Sequence, residues 1–317
     1  MILDGTLSAR VADIETLSPT LKRFRFARED GGRFPVAPPG AHVQVTLRGP
    51  ERVWRNAYSL VTPPDQRDRY EIIVRRVATS RGGSHFLHDV LKAGDTVELS
   101  APASLFPIAS LARRHILIGG GIGLTPFLSY LPALRARGAA FELHQFCAED
   151  EAETFRNLLG DHEGTVEVHG SKDRSPPDLD SVLADRPLGT HVYACGPEGL
   201  MDAVAETALR LGWPACSIHR ESFAPAAGGK PFDVHLAKSR RTIRVSAAQT
   251  LLEALETAGV EPPSLCRGGA CGACLMPVLD GEPEHRDHVL SQAEKAAGRM
   301  IATCVSRAKS ESLVLDL

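Results

Sequence analysis

The stretch Cys266-Arg-Gly-Gly-Ala-Cys271-Gly-Ala-Cys274 sets three cysteines in a C-x4-C-x2-C pattern, and Cys304 follows later in the chain. This is the spacing of a plant-type [2Fe–2S] loop, whose fourth thiolate comes from a distance. Three glycines within the loop permit the backbone to fold closely around a cluster and to direct amides at its sulfurs. We therefore predict a [2Fe–2S] cluster on Cys266, Cys271, Cys274 and Cys304.

Two other uses of these cysteines are weaker. A zinc ribbon needs a second closely spaced ligand pair, and Cys304 has no such companion. A disulfide framework needs an oxidising compartment, whereas the seven cysteines, an odd number, follow an N-terminus without a visible export signal. We expect a cytoplasmic location, and we interpret Cys147 and Cys216 as buried, unreactive thiols.

Composition indicates an ordinary globular protein. The chain has 317 residues, of which 43% are hydrophobic and 24% charged, enough for two or three domains. A net charge of −3 argues against a dedicated binder of nucleic acid or of an anionic membrane. Residues 116–134 carry no formal charge, but glycines and prolines interrupt them, which favours a strand, a tight loop and a helix start over a membrane span.

Outward from the cysteine loop, the pattern divides the chain into four segments. Residues 232–317 begin with two strand-like runs and a helix, at 232–236, 242–245 and 251–258. Residues 224–231 are rich in glycine and proline and are predicted as a linker. Residues 109–223 alternate strands with helices, which predicts a doubly wound parallel sheet. Residues 1–108 carry short strands separated by turn formers, which predicts an antiparallel barrel or sandwich, with strands at 21–26, 42–47, 70–77 and 95–99.

A glycine-rich loop, Gly119-Gly120-Gly121-Ile122-Gly123-Leu124-Thr125-Pro126, follows a predicted strand and opens a helix. Thr125 is a good N-cap and Pro126 suits the first helical position, so the turn presents amides to an anion. Cys195-Gly196-Pro197 ends the last parallel strand in the same way. Two small-residue turns at the carboxyl ends of parallel strands predict a dinucleotide crevice.

The first segment contains a cation, an aromatic ring and a hydroxyl within five residues, at Arg55, Tyr58 and Ser59. Such a set can hold a phosphate and cover a planar ring. Gly82-Gly83-Ser84 then precedes a predicted helix over 85–91, again an arrangement suited to an anion. We expect His85 and His88 of this helix to lie on the surface.

Taken in order, these features resemble the phthalate dioxygenase reductase family, within the ferredoxin–NADP reductase-like superfamily, over essentially the whole chain. The resemblance implies an antiparallel flavin-binding β-barrel at 1–108, a doubly wound nucleotide-binding α/β domain at 109–223 and a β-grasp plant-type ferredoxin at 232–317. It rests on motifs throughout the sequence: Pro39-Gly40-Ala41-His42-Val43, Tyr58-Ser59-Leu60, Gly82-Gly83-Ser84, the glycine-rich loop, Cys195-Gly196-Pro197, Glu221-x-Phe223, the cysteine loop, His285-Arg286-Asp287 and Cys304-Val305-Ser306-Arg307.

The resemblance also implies residue roles. FMN would be bound through its phosphate and its ring by Arg55, Tyr58, Ser59, Val74, Arg75, Gly82, Gly83 and Ser84. NADH would be held by Gly120, Gly121, Gly123, Thr125, Pro126, Cys195, Gly196 and Pro197. Cys195 would lie near the nicotinamide, Phe223 would stack on the flavin where the nicotinamide enters, and Glu221 would sit close by.

One position departs from the family pattern. The family arginine lies two residues before the tyrosine, where this chain has Asn56, and Arg55 lies three before. On a strand, one residue of offset reverses the side-chain direction. Either a bulge restores Arg55, or another cation such as Arg75 or Arg81 takes the phosphate.

The resemblance favours FMN over FAD, since the family with this domain order uses FMN. The acidic run Ala148-Glu149-Asp150-Glu151 favours NADH over NADPH, because it would repel a 2′-phosphate. Electrons would pass from NADH through FMN and the cluster to a separate Rieske-type oxygenase, with the chain a monomeric reductase. The alternatives are a cytochrome P450 or other haem monooxygenase as partner, a stand-alone NADH:acceptor reductase, and a non-catalytic redox sensor.

Overall fold

The computed structural model describes residues 6–50, 52–78, 80, 82–160, 166–172, 177–223 and 228–317. The chain forms two compact units, residues 1–223 and residues 224–317. Of the predicted linker, residues 224–227 lie outside the described part, and residues 228–231 carry no helix or strand.

The first unit begins with a six-stranded antiparallel sheet in the order β4-β3-β6-β1-β2-β5. Its strands are β1 (Leu7–Ser18), β2 (Leu21–Arg28), β3 (His42–Arg48), β4 (Val53–Ser59), β5 (Tyr70–Arg75) and β6 (Thr96–Leu99). A bridge between Leu60 and Ile72 joins the two edges, so the sheet closes into the predicted barrel. Strand β1 was not predicted, because in it only Ala9 and Val11 are buried and the apolar alternation is weak.

A short helical segment follows β5. It consists of α1 (Gly83–His85) and one π-helical turn over Phe86–Val90. The prediction that His85 and His88 are a surface pair is wrong for His88, which is buried. Its Nε2 lies 2.9 Å from the carbonyl oxygen of Val74, because the tight turn directs the ring towards β5.

The rest of the first unit is a parallel sheet in the order β11-β10-β7-β8-β9. Its strands are β7 (Arg114–Gly120), β8 (Ala140–Ala148), β9 (Val166–Ser171), β10 (Thr190–Cys195) and β11 (Ile218–Glu221). Phe127 and Phe155 pack on one face and Val182 and Val204 on the other, so the sheet is doubly wound as predicted. The helices that carry them are α2 (Thr125–Ala136), α3 (Ala152–Leu159), α4 (Leu179–Leu183) and α5 (Glu198–Arg210).

The uncharged residues 116–134 are divided among β7, a 3-10 turn over Gly121–Leu124 and α2. None of the helices in the described ranges is both long and apolar enough to cross a membrane.

The barrel and the parallel sheet share one apolar cluster. Leu21 and Ile73 of the barrel pack in it with Phe127 and Tyr130 of α2. Gly40 completes the contact: its amide donates to Ser129 Oγ at 2.9 Å, and an added Cβ would lie 2.5 Å from the Tyr130 ring. The glycine therefore permits the two sheets to approach closely.

The second unit has a five-stranded mixed sheet in the order β13-β12-β18-β14-β16 and a small ladder between β15 and β17. The strands β12 and β18 run parallel at its centre. Capping boxes at Thr250 and Ser291 start its two helices. The elements are β12 (Phe232–Leu236), β13 (Arg241–Val245), α6 (Leu251–Thr257), β14 (Leu275–Asp280), β15 (Pro283–Glu284), α7 (Gln292–Ala297), β16 (Met300–Ala302), β17 (Arg307–Ala308) and β18 (Ser312–Leu315).

Candidate functional site

The four predicted cluster cysteines lie together in two close pairs. Cys274 and Cys304 have their Sγ atoms 3.2 Å apart, and both are buried. Cys266 hydrogen-bonds with Cys271, and this bond lowers the pKa of Cys266 to about 5. The contact with Cys304 likewise lowers the pKa of Cys274 to about 7. In each pair one thiol readily loses its proton, whereas the same contact raises the pKa of its partner, Cys271 or Cys304. Two such pairs fit the two irons of a [2Fe–2S] cluster, each of which takes two cysteine sulfurs.

Backbone amides surround these sulfurs, as the glycines of the loop predict. The amide of Gly268 lies 3.4 Å from the sulfur of Cys266, and that of Ala273 lies 3.4 Å from the sulfur of Cys271. Gly269 and Gly272 adopt positive φ angles of 74° and 75°. Amide donors stabilise the charge of thiolates and of a cluster bound to them. The residues present therefore fit the group.

Asp287 packs beside the cysteine loop and bonds to the chain on either side of it, a position that the sequence analysis did not assign. Its buried carboxylate accepts hydrogen bonds from the amide of Leu290 at 2.9 Å and from Ser306 Oγ at 3.3 Å. An added Cβ at Gly269 would lie 3.2 Å from its Cα. The sequence shows Asp287 within the motif His285-Arg286-Asp287. Its position beside the cysteine loop depends on the tertiary fold and could not be predicted from the motif.

The pairing of β3 with β4 settles the direction of the Arg55 side chain. The register runs without a shift from His42 opposite Ser59 to Arg48 opposite Val53, so β4 has no bulge there. The proposed bulge is therefore absent, and Arg55 lies on the face opposite to Tyr58. Asn56 shares the face of Tyr58 and donates a hydrogen bond to its hydroxyl at 3.1 Å. Burial raises the pKa of Tyr58 to about 12.

The turn Gly82-Gly83-Ser84 lies directly beside this face. An added Cβ at Gly83 would lie 2.4 Å from Nδ2 of Asn56, and one at Gly82 would lie 2.8 Å from Nε1 of Trp54. Gly82 has a φ of 109°, and Ser84 is buried. The turn thus brings together an amide side chain, an indole N–H and the start of a helical segment, all donors suited to a phosphate.

The other predicted flavin residues are divided. Ser59 is buried, and its Oγ has no hydrogen-bond partner among the described residues, so it is available to a bound ring. The side chain of Val74 is buried in the barrel core. Arg75 lies beside the glycine-rich loop, 3.6 Å from a Cβ added at Gly121. Arg81, the other candidate cation, lies outside the described residues.

The two small-residue turns of the parallel sheet are in contact. A Cβ added at Gly123 would lie 2.1 Å from the carbonyl oxygen of Cys195, and one at Gly196 would lie 2.8 Å from the Cα of Gly120. Gly121 adopts a φ of 53°. Glycine at 120, 123 and 196 is thus required for the backbones to meet at the carboxyl ends of β7 and β10.

Thr125 does not cap α2, so that prediction is wrong. The helix begins at Thr125 itself after a 3-10 turn, and Thr125 Oγ1 donates to the carbonyl oxygen of Ile122 at 3.0 Å. The preceding residues Gly121–Leu124 form a 3-10 turn, and the helix starts one residue nearer the N-terminus than predicted. Pro126 is therefore the second residue of the helix and not the first, where it was predicted.

Cys195, Pro197, Glu221 and Phe223 lie along one edge of the sheet. Cys195 is opposite Glu221 in the parallel pairing of β10 with β11, and Pro197 precedes α5. Burial, with a smaller contribution from Glu221, raises the pKa of the Cys195 thiol well above its usual value. The side chain of Phe223 is 41% exposed and follows directly after this edge. A neutral thiol, a carboxylate and an exposed ring thus stand where ligands bind to such sheets.

The acidic run forms a 3-10 turn over Glu149–Glu151 at the end of β8. Glu149 and Asp150 are exposed, whereas Glu151 makes a bidentate ion pair with Arg75 at 2.5 and 3.1 Å. This pair connects the barrel to the parallel sheet beside the glycine-rich loop. Sequence reasoning missed it, because the two residues are far apart in the chain.

The remaining cysteines differ from expectation. Cys147 is half-buried, and burial raises its pKa to about 11. Cys216 is exposed, so the prediction that it is buried is wrong. It lies in the 3-10 turn Ala215–Ser217. The sequence around this turn has no apolar pattern from which the exposure of Cys216 could be predicted.

Comparison with known families divides the chain in the same order as its sheets. Residues 8–107 match the oxidoreductase FAD-binding domain, and residues 103–218 match the N-terminal domain of dimethylamine monooxygenase subunit DmmA-like proteins. Residues 234–309 match the 2Fe-2S iron-sulfur cluster binding domain. A flavin-binding domain and a [2Fe–2S] domain are thus present in one chain.

Similar proteins match over nearly the full length. The heme-dependent oxidative N-demethylase beta subunit of Ectopseudomonas mendocina (strain ymp) is 44% identical, over 98% of this chain and 99% of the relative. Phthalate dioxygenase reductase of Burkholderia cepacia is 37% identical, over 99% of this chain and 98% of the relative.

A solved structure is also similar over nearly the full length. It is a phthalate dioxygenase reductase described as a modular structure for electron transfer from pyridine nucleotides to [2Fe–2S], at a TM-score of 0.83 and 37% identity. The match covers 99% of this chain and 98% of that one. The chain therefore belongs to the phthalate dioxygenase reductase family, and it is an oxygenase reductase component that transfers electrons from a pyridine nucleotide through a flavin to a [2Fe–2S] cluster.

Proposed function

We propose that the chain uses NADH as electron donor, FMN as flavin and a separate terminal oxygenase as electron acceptor. FMN held in the barrel would supply acceptance of a hydride from NADH and release of single electrons towards the [2Fe–2S] cluster. The observation that carries this proposal is the pairing of four thiols under backbone amides in the second unit. Turnover of the reduced chain with a terminal oxygenase tests the proposed acceptor.

FMN is proposed over FAD from the arrangement of the barrel. The turn Gly82-Gly83-Ser84, the amide of Asn56 and the indole of Trp54 form a compact set of donors around one point. A single terminal phosphate fits such a set. The domain order, which the family combines with FMN, supports the same choice.

NADH is proposed over NADPH from the charge beyond β8. Glu149 and Asp150 are exposed at the end of the strand, and Glu151 engages Arg75. A carboxylate here accepts hydrogen bonds from a ribose diol and repels a 2′-phosphate. The measurement that tests this choice is the ratio of kcat/KM for NADH to kcat/KM for NADPH, which we expect to exceed ten.

Within the crevice, we propose that the contacting turns hold the nucleotide. Their residues are Gly120, Gly121, Gly123, Thr125, Pro126, Cys195, Gly196 and Pro197. Cys195 stays a neutral thiol at the nicotinamide, since its pKa is raised by burial. Phe223 covers the flavin where the nicotinamide enters, and Glu221 borders the same position.

The class of oxygenase is proposed from the relatives. The name of the relative that is 44% identical favours a haem-dependent partner that removes methyl groups from nitrogen. The Rieske-type partner predicted from the sequence is the second candidate, and it rests on the resemblance to the phthalate dioxygenase reductase family.

Purification of the oxygenase that co-purifies with tagged full-length reductase from the native host distinguishes these candidates. A haem spectrum, together with NADH-driven N-demethylation, supports the first. A Rieske EPR signal in the partner supports the second. NADH oxidation with artificial acceptors alone, and with neither oxygenase, contradicts the proposed acceptor.

A further inference from the structure

A cluster of two histidines and one glutamate lies outside the site described above, on the strands β8 and β9. His144 on β8 is opposite Glu167 on β9, and His169 lies two residues further along β9. Their ligand atoms come within 4.8 Å of one another. From this cluster we propose that the chain binds a divalent transition-metal ion, of the class of Zn²⁺, through His144, Glu167 and His169.

The distances between the three ligand atoms fit a metal. His144 Nδ1 lies 3.2 Å from His169 Nε2 and 3.7 Å from Glu167 Oε2, and the latter two atoms are 3.5 Å apart. Bonds of about 2.0–2.1 Å in tetrahedral geometry place ligand atoms roughly 3.3 Å apart. The three side chains therefore need little movement to take one ion between them.

A second carboxylate faces the buried histidine, at a distance longer than a hydrogen bond. His144 Nε2, on the far side of the ring, lies 3.6 Å from Glu142 Oε2. Arg186 donates to the other oxygen of Glu142 at 2.9 Å, and Arg114 binds the same oxygen. A metal-bound histidine commonly presents its second ring nitrogen to a carboxylate, which fixes the tautomer. This arrangement leaves Nδ1 of His144 as the ligand atom.

The cluster opens into a cavity rather than into a packed core. The cavity has a volume of about 400 Å³ and is lined by the cluster, Phe146 and residues at the start of α4, including Asp178 and Ser181. The His169 ring stacks on Phe146 at a centroid distance of 4.6 Å, which holds its direction. An ion on three protein ligands keeps an open position, and the cavity has room there for water or a small anion.

The donor set selects the kind of ion. Two imidazoles and one carboxylate suit zinc and the other late first-row divalent ions, whereas Mg²⁺ and Ca²⁺ prefer oxygen alone. Zinc is therefore the probe for the test. A hydrogen bond between the two histidines would explain their 3.2 Å contact. It would not explain why Glu167 Oε2 lies within 3.7 Å of both rings.

The test is equilibrium dialysis of the full-length holoprotein, its iron–sulfur cluster assembled and any affinity tag removed, against Zn²⁺. The variants are His169→Ala and Glu167→Gln, whose side chains are 37% and 65% exposed and so tolerate replacement. The matched control is His235→Ala, an exposed histidine on β12. Unchanged flavin and cluster absorption establishes that each variant is folded.

We expect the wild type and the control to bind one equivalent of Zn²⁺, and each variant to bind it at least tenfold more weakly. A zinc-edge anomalous peak between the three side chains in crystals supports the same assignment. No uptake by the wild type, or unchanged uptake by both variants, overturns the proposal. Neither result bears on electron transfer, because the cluster and the flavin crevice do not include these residues.

Discussion

Asn56 occupies the position at which the family has an arginine, and the structure shows what a one-residue offset does. Because β3 and β4 pair without a bulge, Asn56 lies with Tyr58, and Arg55 lies on the opposite face. The amide of Asn56 lies over Gly83 at the start of the short helix. We infer that a neutral donor stands at the phosphate in place of a cation.

Replacing Asn56 tests this inference. Asn56→Ala removes the donor, and we expect FMN to bind at least tenfold more weakly, as measured by the fluorescence of flavin released on dialysis. Asn56→Asp keeps the shape but repels a phosphate, so its loss should be greater. Arg55→Ala is the comparison on the opposite face. If Arg55→Ala released FMN and Asn56→Ala retained it, Arg55 and not Asn56 would be the phosphate ligand.

Cys304 is the distant member of the thiol set, and its contact with Cys274 supports its proposed role as a cluster ligand. We expect Cys304→Ser to lose the visible absorption of the cluster while NADH still reduces the flavin. The exposed Cys216 supplies the control, Cys216→Ser, which should keep the cluster. A normal cluster spectrum in Cys304→Ser would disprove its role as ligand.

Individual residues could be predicted where their role follows from spacing along the sequence. They could not be predicted where their role depends on contacts made by the tertiary fold. The cysteine spacing located the four thiols because one loop contributes three of them. The roles of Asp287 and Glu151 were not predictable, because their partners Ser306 and Arg75 are brought close by the tertiary fold. Thr125 was misjudged because a 3-10 turn displaces the helix start.

At the scale of elements, the nucleotide crevice depends on direct contact between two turns. Gly123 meets the carbonyl oxygen of Cys195, and Gly196 meets Gly120. Neither contact leaves space for a side chain. The carboxyl ends of β7 and β10 therefore form one continuous surface.

A methyl group at Gly123 should separate these turns. An added Cβ would lie 2.1 Å from the Cys195 oxygen, so Gly123→Ala must displace backbone. We expect KM for NADH to rise at least tenfold. Gly199→Ala is the control, since no atom lies within 4 Å of its added Cβ and helical alanine is favourable. Equal KM values in the two variants would contradict the contact.

A buried histidine on β7 predicts the response of the first unit to acid. Burial lowers the pKa of His115 to about 4, and its side chain is nearly inaccessible. The unfolded chain therefore binds more protons than the folded chain between about pH 6.5 and pH 4, so stability falls as the pH decreases through that window. The loss attributable to His115 is about 2 kcal/mol at pH 5.

Urea unfolding measured by tryptophan fluorescence checks this value, because both tryptophans, Trp54 and Trp213, lie in the first unit. The free energy of unfolding of the wild type should fall by about 2 kcal/mol more than that of His115→Gln between pH 7 and pH 5. Parallel pH profiles for the two proteins would show that His115 does not titrate in this way.

Whole elements were more predictable than their exact limits. The strands with clear alternation, such as β2 with Leu21, Phe24 and Phe26 buried, were identified from sequence. The polar strand β1 was not, since few of its side chains are buried. The order of the sheets followed from where the period of the pattern changes along the chain.

In the whole molecule, the three large sheets follow one another in the same order as the flavin, nucleotide and cluster motifs of the sequence. The barrel and the parallel sheet share an apolar cluster and the Arg75–Glu151 ion pair within one unit. The thiol set is contained in the other unit. The sequence predicts this succession, because each sheet carries its own motif.

We propose that one chain carries electrons from NADH through its flavin to its cluster. This route is tested by anaerobic mixing of full-length holoprotein with NADH, followed by optical and EPR spectroscopy. We predict reduction of the flavin and the appearance of a reduced [2Fe–2S] EPR signal, with the EPR signal absent in Cys304→Ser. A flavin that NADH reduces while an intact cluster stays oxidised would contradict the account.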